Sequence, residues 1–357
     1  MECIDIDQQT SELGGQNTNF IDKDRNLVKS SWYGFEVFIT ESNLICCKLE
    51  SLSLIHCFSM TKSHHHWQHL ILTLILSIAS TSVTATPLSF TTWNIEWLTS
   101  KPSKQFVQSK RSQADFDALS AHFATTNTDI FAFQEVNDLQ AIRKVTGGNY
   151  DIYFSQRESK SNEKRQFKDI NQYTGFAVRK GISVEKLPDL RLDKRKNSKL
   201  RFATYMVITP NQKPPVHLLS VHLKARCSGA YNNNRDCQIL ESQGKALNQW
   251  ILEREKAKQQ YMILGDFNHN LSYQGDWLWR EITQSSSAIL ATISTQPRCK
   301  VRSRHQPERL HQFRSLIDHI IISKKLSLST PEQVVFPSEQ VLKYHLSDHC
   351  PLRATLE

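Results

Sequence analysis

The chain has 357 residues, of which 39% are hydrophobic and 22% charged, and its net charge is +9. That balance excludes a disordered chain, and the length allows one large domain or two ordinary ones. Residues 1–85 carry 5 Lys+Arg against 9 Asp+Glu, which leaves 39 basic and 26 acidic residues, or +13, for the remainder. A basic globular body favours a polyanionic partner, nucleic acid or an anionic membrane surface, over a neutral one.

Residues 1–59 match nothing that normally precedes an export signal. Lys62 and the run His64-His65-His66 then lead into an uncharged stretch, Leu70–Ala85, apolar at first and small and polar later. Val83-Thr84-Ala85 fits a small-x-Ala cleavage site, and the apolar core is too short to span a bilayer. The pattern predicts a start at Met60, a signal peptide over 60–85 and a secreted or periplasmic domain over 86–357. Residues 1–59 are then an uncertain extension that need not be translated. The alternative is an uncleaved signal-anchor with a cytoplasmic tail. Four cysteines, Cys227, Cys237, Cys299 and Cys350, follow the signal, an even number that suggests two disulfides in an exported body. Cys227 and Cys237 flank a turn-rich stretch and are expected to pair, which leaves Cys299 with Cys350.

From Pro87 onward short apolar runs alternate with helical stretches. Strands are predicted over Leu88–Trp93, Ile130–Phe133, Phe176–Val178, Tyr205–Ile208, His217–Val221, Tyr261–Leu264 and Leu316–Ile322. Helices are predicted over Ser112–Thr125 and Cys237–Lys256, the second from Ile239/Leu240, Ala246/Leu247 and Trp250/Ile251 at helical spacing. Ser155–Asn171 and Asp193–Lys199 are Lys/Arg-rich and predicted as surface loops.

One pattern repeats. An apolar strand ends, and a side chain able to bind metal or move protons follows. Trp93 leads into Asn94 and Glu96, Phe133 into Gln134-Glu135, and Val221 into His222. Gly265 leads into Asp266-Phe267-Asn268, and Ile317 into Asp318-His319. Ser347-Asp348-His349 lies near the C-terminus. A single acid after a strand is usually a turn residue or helix cap. Six such groups point instead to one sheet edge where a ligand binds. Carboxylates, amides and histidines without cysteine suit Mg²⁺ or Mn²⁺ rather than structural zinc.

Trp93-Asn94-Ile95-Glu96, Gln134-Glu135-Val136, Gly265-Asp266-Phe267-Asn268, Ile317-Asp318-His319 and Ser347-Asp348-His349 occur in the order found in the endonuclease/exonuclease/phosphatase superfamily. The chain resembles that superfamily, which includes DNase I, AP endonucleases, inositol-polyphosphate 5-phosphatases and neutral sphingomyelinases, from about Leu88 to Leu356. His222-Leu223-Lys224, with Cys227 and Cys237, is similar to a bacterial exported branch. The resemblance implies an α/β fold, a four-layer two-sheet sandwich of DNase I type with the site at one end. It implies Mg²⁺ binding by Glu135, with Asn94 and Glu96 in support and Asp348 as a further metal or support carboxylate. It implies that Asp266 and Asn268 orient water and phosphate, that His349 contacts the scissile phosphate, and that Asp318 fixes the His349 ring. His222 resembles the second histidine of DNase I. Gln172 falls where DNase I has the glutamate that pairs with that histidine. Gln172 would orient His222 without supplying charge.

The expected function is an exported, metal-dependent phosphodiesterase, a nuclease acting on DNA, with RNA left open as a further substrate. A sphingomyelinase-like lipid phosphodiesterase and an inositol-phosphate phosphatase are the alternatives. Lipid binding needs an exposed apolar hairpin. Gly275-Asp276-Trp277-Leu278-Trp279 is the aromatic cluster to consider, and its spacing favours the buried start of a helix. No stable protein partner is expected.

Overall fold

The computed structural model describes residues 87–210 and 213–357, together with the backbone of five strands between residues 19 and 59. The expected signal peptide, 60–85, lies outside the described residues. The five strands are β1 (Asn19–Asp22), β2 (Leu27–Trp32), β3 (Phe35–Ile39), β4 (Leu44–Leu49) and β5 (Leu52–Ser59). They pair antiparallel in chain order, as a unit separate from residues 85–357.

The larger unit holds two six-stranded sheets. The first is ordered β18 (Glu332–Gln333), β19 (Leu352–Thr355), β6 (Ser89–Leu98), β7 (Ile130–Val136), β9 (Tyr173–Arg179), β8 (Tyr150–Phe154). The second is ordered β10 (Ser183–Lys186), β11 (Thr204–Thr209), β12 (Val216–His222), β13 (Gln260–Asp266), β17 (Asp318–Ile322), β14 (Ile289–Leu290). At the centre of each sheet is one parallel pair, β6–β7 and β12–β13; the other ladders are antiparallel.

A parallel pair needs a crossover, and helices supply it. Helix α1 (Gln113–Thr126) joins β6 to β7, and a capping box between Ser112 and Asp115 starts it. Helix α3 (Arg235–Lys256) joins β12 to β13, capped by the Asn234 side chain on the Cys237 amide. Helix α2 (Leu139–Thr146) packs with α1, α4 (Trp277–Thr283) packs with α3, and α5 (Ser338–Lys343) precedes β19.

Both faces of each sheet are covered, so the central strands read as unbroken apolar runs. In β7, Ile130 and Ala132 meet Met206, Leu218, Met262 and Leu264 of the opposite sheet. Phe131 and Phe133 point the other way, onto Phe116, Leu119 and Phe123 of α1. In β13, Ile263 faces Leu240, Leu247 and Ile251 of α3. The layers are therefore helix, sheet, sheet, helix, the α/β sandwich expected. The two long helices lie within two residues of their predicted bounds, and β17 starts at Asp318 rather than Leu316.

Cys227–Cys237 and Cys299–Cys350 are both bonded, with Cα–Cα distances of 5.1 and 5.6 Å. The first closes a 10-residue separation and the second a 51-residue separation. By chain entropy they restrict the unfolded state by about 3 and about 4 kcal/mol. Calorimetry of C227A/C237A and C299A/C350A should show the larger fall in Tm for the second pair; equal falls would mean that native contacts, not loop size, set the difference.

His122 on α1 is buried between Trp93 and Phe336 and donates from Nε2 to the Val334 carbonyl at 3.0 Å. Burial lowers its pKa below the usual histidine value. Below about pH 6.5 the unfolded chain therefore takes up protons that the folded chain resists, so stability falls on the acid side. His122→Gln keeps an N–H donor and removes the titration. Its Tm should drop less than that of the wild type between pH 7 and 5; parallel profiles would refute this role.

Candidate active site

The strand register assembles the site. The parallel pairs end on one edge, where His222 is level with Asp266 and Asp266 with Asp318. In the other sheet Asn94 is level with Gln134, and Glu135 follows. Below this edge the Gln134 amide donates to the Ser220 hydroxyl at 3.2 Å, and that hydroxyl donates to the Phe133 carbonyl at 3.2 Å. These bonds pin the two sheets together directly beneath the site.

Asn94 bridges the sheets. Its Nδ2 donates to Glu135 Oε1 at 3.2 Å and to Asp266 Oδ2 at 3.0 Å, while its Oδ1 accepts from the Glu96 amide at 3.0 Å. Asp266 Oδ2 is the hub. Asn268 Nδ2 lies 3.2 Å from it, His222 Nε2 3.5 Å and His349 Nε2 3.9 Å. Asp318 Oδ2 holds His349 Nδ1 at 2.7 Å. Glu135 Oε2 accepts from the Trp97 amide at 3.1 Å, and Oε1 lies 3.6 Å from His222 Nε2.

Asp348 and Glu96 sit on the rim. Asp348 Oδ2 accepts from Arg304 at 3.1 Å, and Glu96 Oε2 lies 3.9 Å from His345. The residues given site roles from the sequence reach this one region, with Asp348 and Glu96 at its margin; His319 does not, its Nδ1 meeting the Thr292 hydroxyl at 2.8 Å and its Nε2 accepting from the Leu271 amide at 3.2 Å. Gln172 is a correction. The nearest thing to a link with this region is its main-chain carbonyl, which accepts from Arg157 at 3.5 Å. His222 Nδ1 is buried and meets no partner among the described residues. Gln172 lies just before β9 and gives the His222 ring no hydrogen bond among the described residues.

Burial and like charge raise the Asp266 carboxyl to about 7: desolvation leads and Asp318 adds to it, against the opposing effect of His349. Desolvation, then Asp348, raises Glu96 to about 7. Desolvation opposes charge on His349, but Asp318, Asp266 and Asp348 outweigh it and hold the pKa well above the usual histidine value. His222 goes the other way. Desolvation and the nearby Arg201 push it well down, so it is neutral. Its Nε2 faces two carboxylates and therefore carries the proton.

The donor set fits a divalent cation. Asp266, Asp318 and His349 place their donor atoms within 4.8 Å of one another, but a protonated His349 cannot ligate, which leaves the Asp266 and Asp318 carboxylates next to Glu135, whose Oε1 shares the Asn94 Nδ2 donor with Asp266. Asp318 Oδ1 is buried without a hydrogen-bond partner among the described residues, a cost that a cation would remove. Oxygen donors dominate, as hard cations require.

The sequence did not reveal the supports. Arg111, just before α1, donates from Nη2 to the carbonyls of Leu346 at 2.6 Å and Ile95 at 3.3 Å, and from Nε to His345 at 3.2 Å. It ties the Ser347–His349 segment to β6. The Ser347 hydroxyl adds a bond to the Asn94 carbonyl at 2.7 Å. Arg201 likewise caps the His222 and Leu223 carbonyls at 3.2 and 2.5 Å. Backbone geometry is unusual here. Glu96, Trp97, Glu135 and Asn268 all have positive φ, at 39, 51, 59 and 52°. Side chains other than glycine rarely adopt this region, and such strain clusters at functional sites.

The fold and this edge define a phosphoester-hydrolase architecture. The model of the endonuclease/exonuclease/phosphatase family matches residues 91–349, and the chain belongs to that family. Its members generally use divalent metals. No curated protein matches the chain. Among solved structures, an endonuclease/exonuclease/phosphatase from Bacteroides vulgatus is 17% identical with a TM-score of 0.56, covering 76% of this chain and 99% of its own. A mannosyl-6-phosphatase from Bacteroides thetaiotaomicron is 12% identical with a TM-score of 0.52, covering 76% and 99%. A functionally unknown conserved protein from Enterococcus faecalis is 14% identical with a TM-score of 0.52, covering 76% and 99%. At these identities the likeness is one of fold.

Proposed function

We propose that the chain is an exported phosphodiesterase that hydrolyses nucleic acid with Mg²⁺ or Mn²⁺. The observation that carries the nucleic-acid reading is the wall beside His349. Hairpin β15–β16 (Lys300–Arg302 and Leu310–Gln312) is fastened there by Cys299–Cys350 and by Arg304 on Asp348. Arg302, Arg304 and Arg309 are exposed on it, against one exposed carboxylate, Glu308. A lipid hydrolase needs apolar residues on such a rim; this one presents cations to a polyanion. The Trp277–Trp279 cluster offers no substitute, because it opens α4, with Leu278 fully buried and both tryptophans packed against the core. Among the described residues no helix is long and apolar enough to cross a membrane. Two disulfides support an oxidising compartment.

In this reading Glu135, aided by Asn94, Glu96 and Asp348, holds the metal. When bound, the cation supplies charge that polarises a phosphoryl oxygen and returns the buried carboxyls to their ionised form. Asp266 accepts the proton of the attacking water, and Asn268 orients the phosphate. His349, kept protonated by Asp318 and Asp266, donates from Nε2 to the phosphoryl oxygen as negative charge builds on it. His222, neutral, donates from Nε2 and orients rather than charges.

Incubation of the purified protein with plasmid, RNA and sphingomyelin, with and without EDTA, tests the reading; cleavage of lipid alone would overturn it. Glu135→Gln should raise the Mg²⁺ concentration for half-maximal activity at least about tenfold, with kcat largely recovered at saturation. An unchanged Mg²⁺ requirement would remove Glu135 from the metal site.

A further inference from the structure

On the His222 side of the site lies a cavity of ≈ 530 Å³. Its lining includes Phe167, Lys196, Lys199, Lys224, Arg226 and Arg235. Of these, Lys224 is two residues beyond His222, and the carbonyl of the intervening Leu223 accepts from Asn268 Nδ2 at 3.2 Å. The cavity therefore abuts the groups placed around the scissile phosphate.

Its charge is one-sided. Six Lys and Arg residues line it, with Arg195 as the sixth cation besides those named, against a single carboxylate, Asp236. Asp236 is occupied by Lys224 at 2.9 Å, and Arg195 pairs with Asp193 at 2.7 Å. Lys196, Arg226 and Arg235 have no ion pair among the described residues. The Cys227–Cys237 disulfide holds two of them together: Arg226 precedes one cysteine, Arg235 is two residues before the other, and the cysteine Cα atoms are 5.1 Å apart.

An aromatic ring stands among these cations. Phe167 is 52% exposed. It is also held in place. Asn171 accepts from the Phe167 amide at 2.9 Å and donates to its carbonyl at 2.9 Å. Asn171 is itself fixed by the buried Arg157 at 2.9 Å. Arg157 and Lys199 flank the ring at 5.9 and 5.0 Å. An exposed aromatic ring clamped by a buried arginine is preorganised to meet something flat. Rings interleaved with cations along a groove are the pattern that binds single strands, with stacking for bases and charge for phosphates.

We propose that this cavity is a subsite for an unpaired nucleotide flanking the scissile phosphodiester, with Phe167 stacking its base and Arg226, Arg235 and Lys196 holding its phosphates. The proposal rests on the nuclease reading and adds a preference for single-stranded or frayed substrate. A base inside a duplex has both faces covered and cannot use the ring.

The test is binding of a labelled 12-nucleotide single strand and of its duplex to the full chain in Mg²⁺, with His349→Ala as background to block turnover. Phe167→Ala should weaken the single strand about tenfold, the scale of one base–aromatic stack, and leave the duplex alone. Arg226→Glu with Arg235→Glu should weaken both and flatten the salt dependence by about 0.7 per lost phosphate contact on the single strand. Lys325→Glu, at the opposite sheet edge, changes net charge and should do neither. Single-strand binding unaffected by Phe167→Ala, or a Lys325→Glu loss as large as that of the arginine pair, would overturn the subsite. Plasmid and single-strand cleavage by the wild type is measured alongside. Robust cleavage with unaltered binding in the variants would sink the subsite alone. No cleavage and no binding, with uptake onto phosphatidylglycerol vesicles instead, would sink the nuclease reading with it.

Discussion

His349→Ala is expected to lower kcat on plasmid DNA by about 10²–10³-fold while changing KM far less, because the charge it meets develops only in the transition state. The geometry gives the reason. Asp318 at 2.7 Å and Asp266 at 3.9 Å hold the ring protonated in spite of its burial. Asp318→Asn should reproduce part of the loss by letting the ring lose its proton. His222→Ala is expected to cost less than His349→Ala, since His222 is neutral, with Nδ1 unpartnered among the described residues. Steady-state kinetics at saturating Mg²⁺ decide the matter. Wild-type turnover in both histidine variants would show that the mechanism is wrong.

Gly265→Ala is expected to abolish activity and to destabilise the domain by roughly 3 kcal/mol or more, the sum of overpacking and backbone strain. A Cβ at Gly265 would lie 2.0 Å from the Val221 carbonyl oxygen, and its φ is 150°. The obstacle is backbone of the neighbouring strand, which cannot rotate aside. β13 would be levered off β12 at the point where Asp266 is level with His222. Thermal denaturation together with a plasmid assay measures both effects. A variant with native Tm and full turnover would show that the edge tolerates far more slack than its register suggests.

Much of this site was legible because its polar residues follow apolar strands that the sequence marks clearly. Leu218-Leu219-Ser220-Val221 before His222, and Met262-Ile263-Leu264-Gly265 before Asp266, are buried on both faces, so apolarity alone found them. The edge strands were not legible. β10 alternates exposed and half-buried residues, and β14 and β18 are two residues long. Pairing with a neighbour, not composition, makes them strands. Arg111 and Arg201 escaped notice for a related reason. Their guanidinium groups bind main-chain carbonyls gathered by the fold, some of them more than 200 positions away in the case of Arg111, and no local pattern announces such a contact. The expected Gln172–His222 pairing is the exception: Gln172 comes just before β9, and no hydrogen bond joins it to the His222 ring among the described residues.

The four left-handed residues at this edge, Glu96, Trp97, Glu135 and Asn268, have a consequence for any effort to make the protein sturdier. Each is a place where glycine would relax the chain, and each carries or adjoins a group the site uses. Heat resistance gained at these positions would be drawn from the working edge itself. Variants selected only for survival at high temperature would drift toward intact sandwiches with blunted sites. Durable improvements belong in the helical layers and outer strands, where rigidity and activity do not compete.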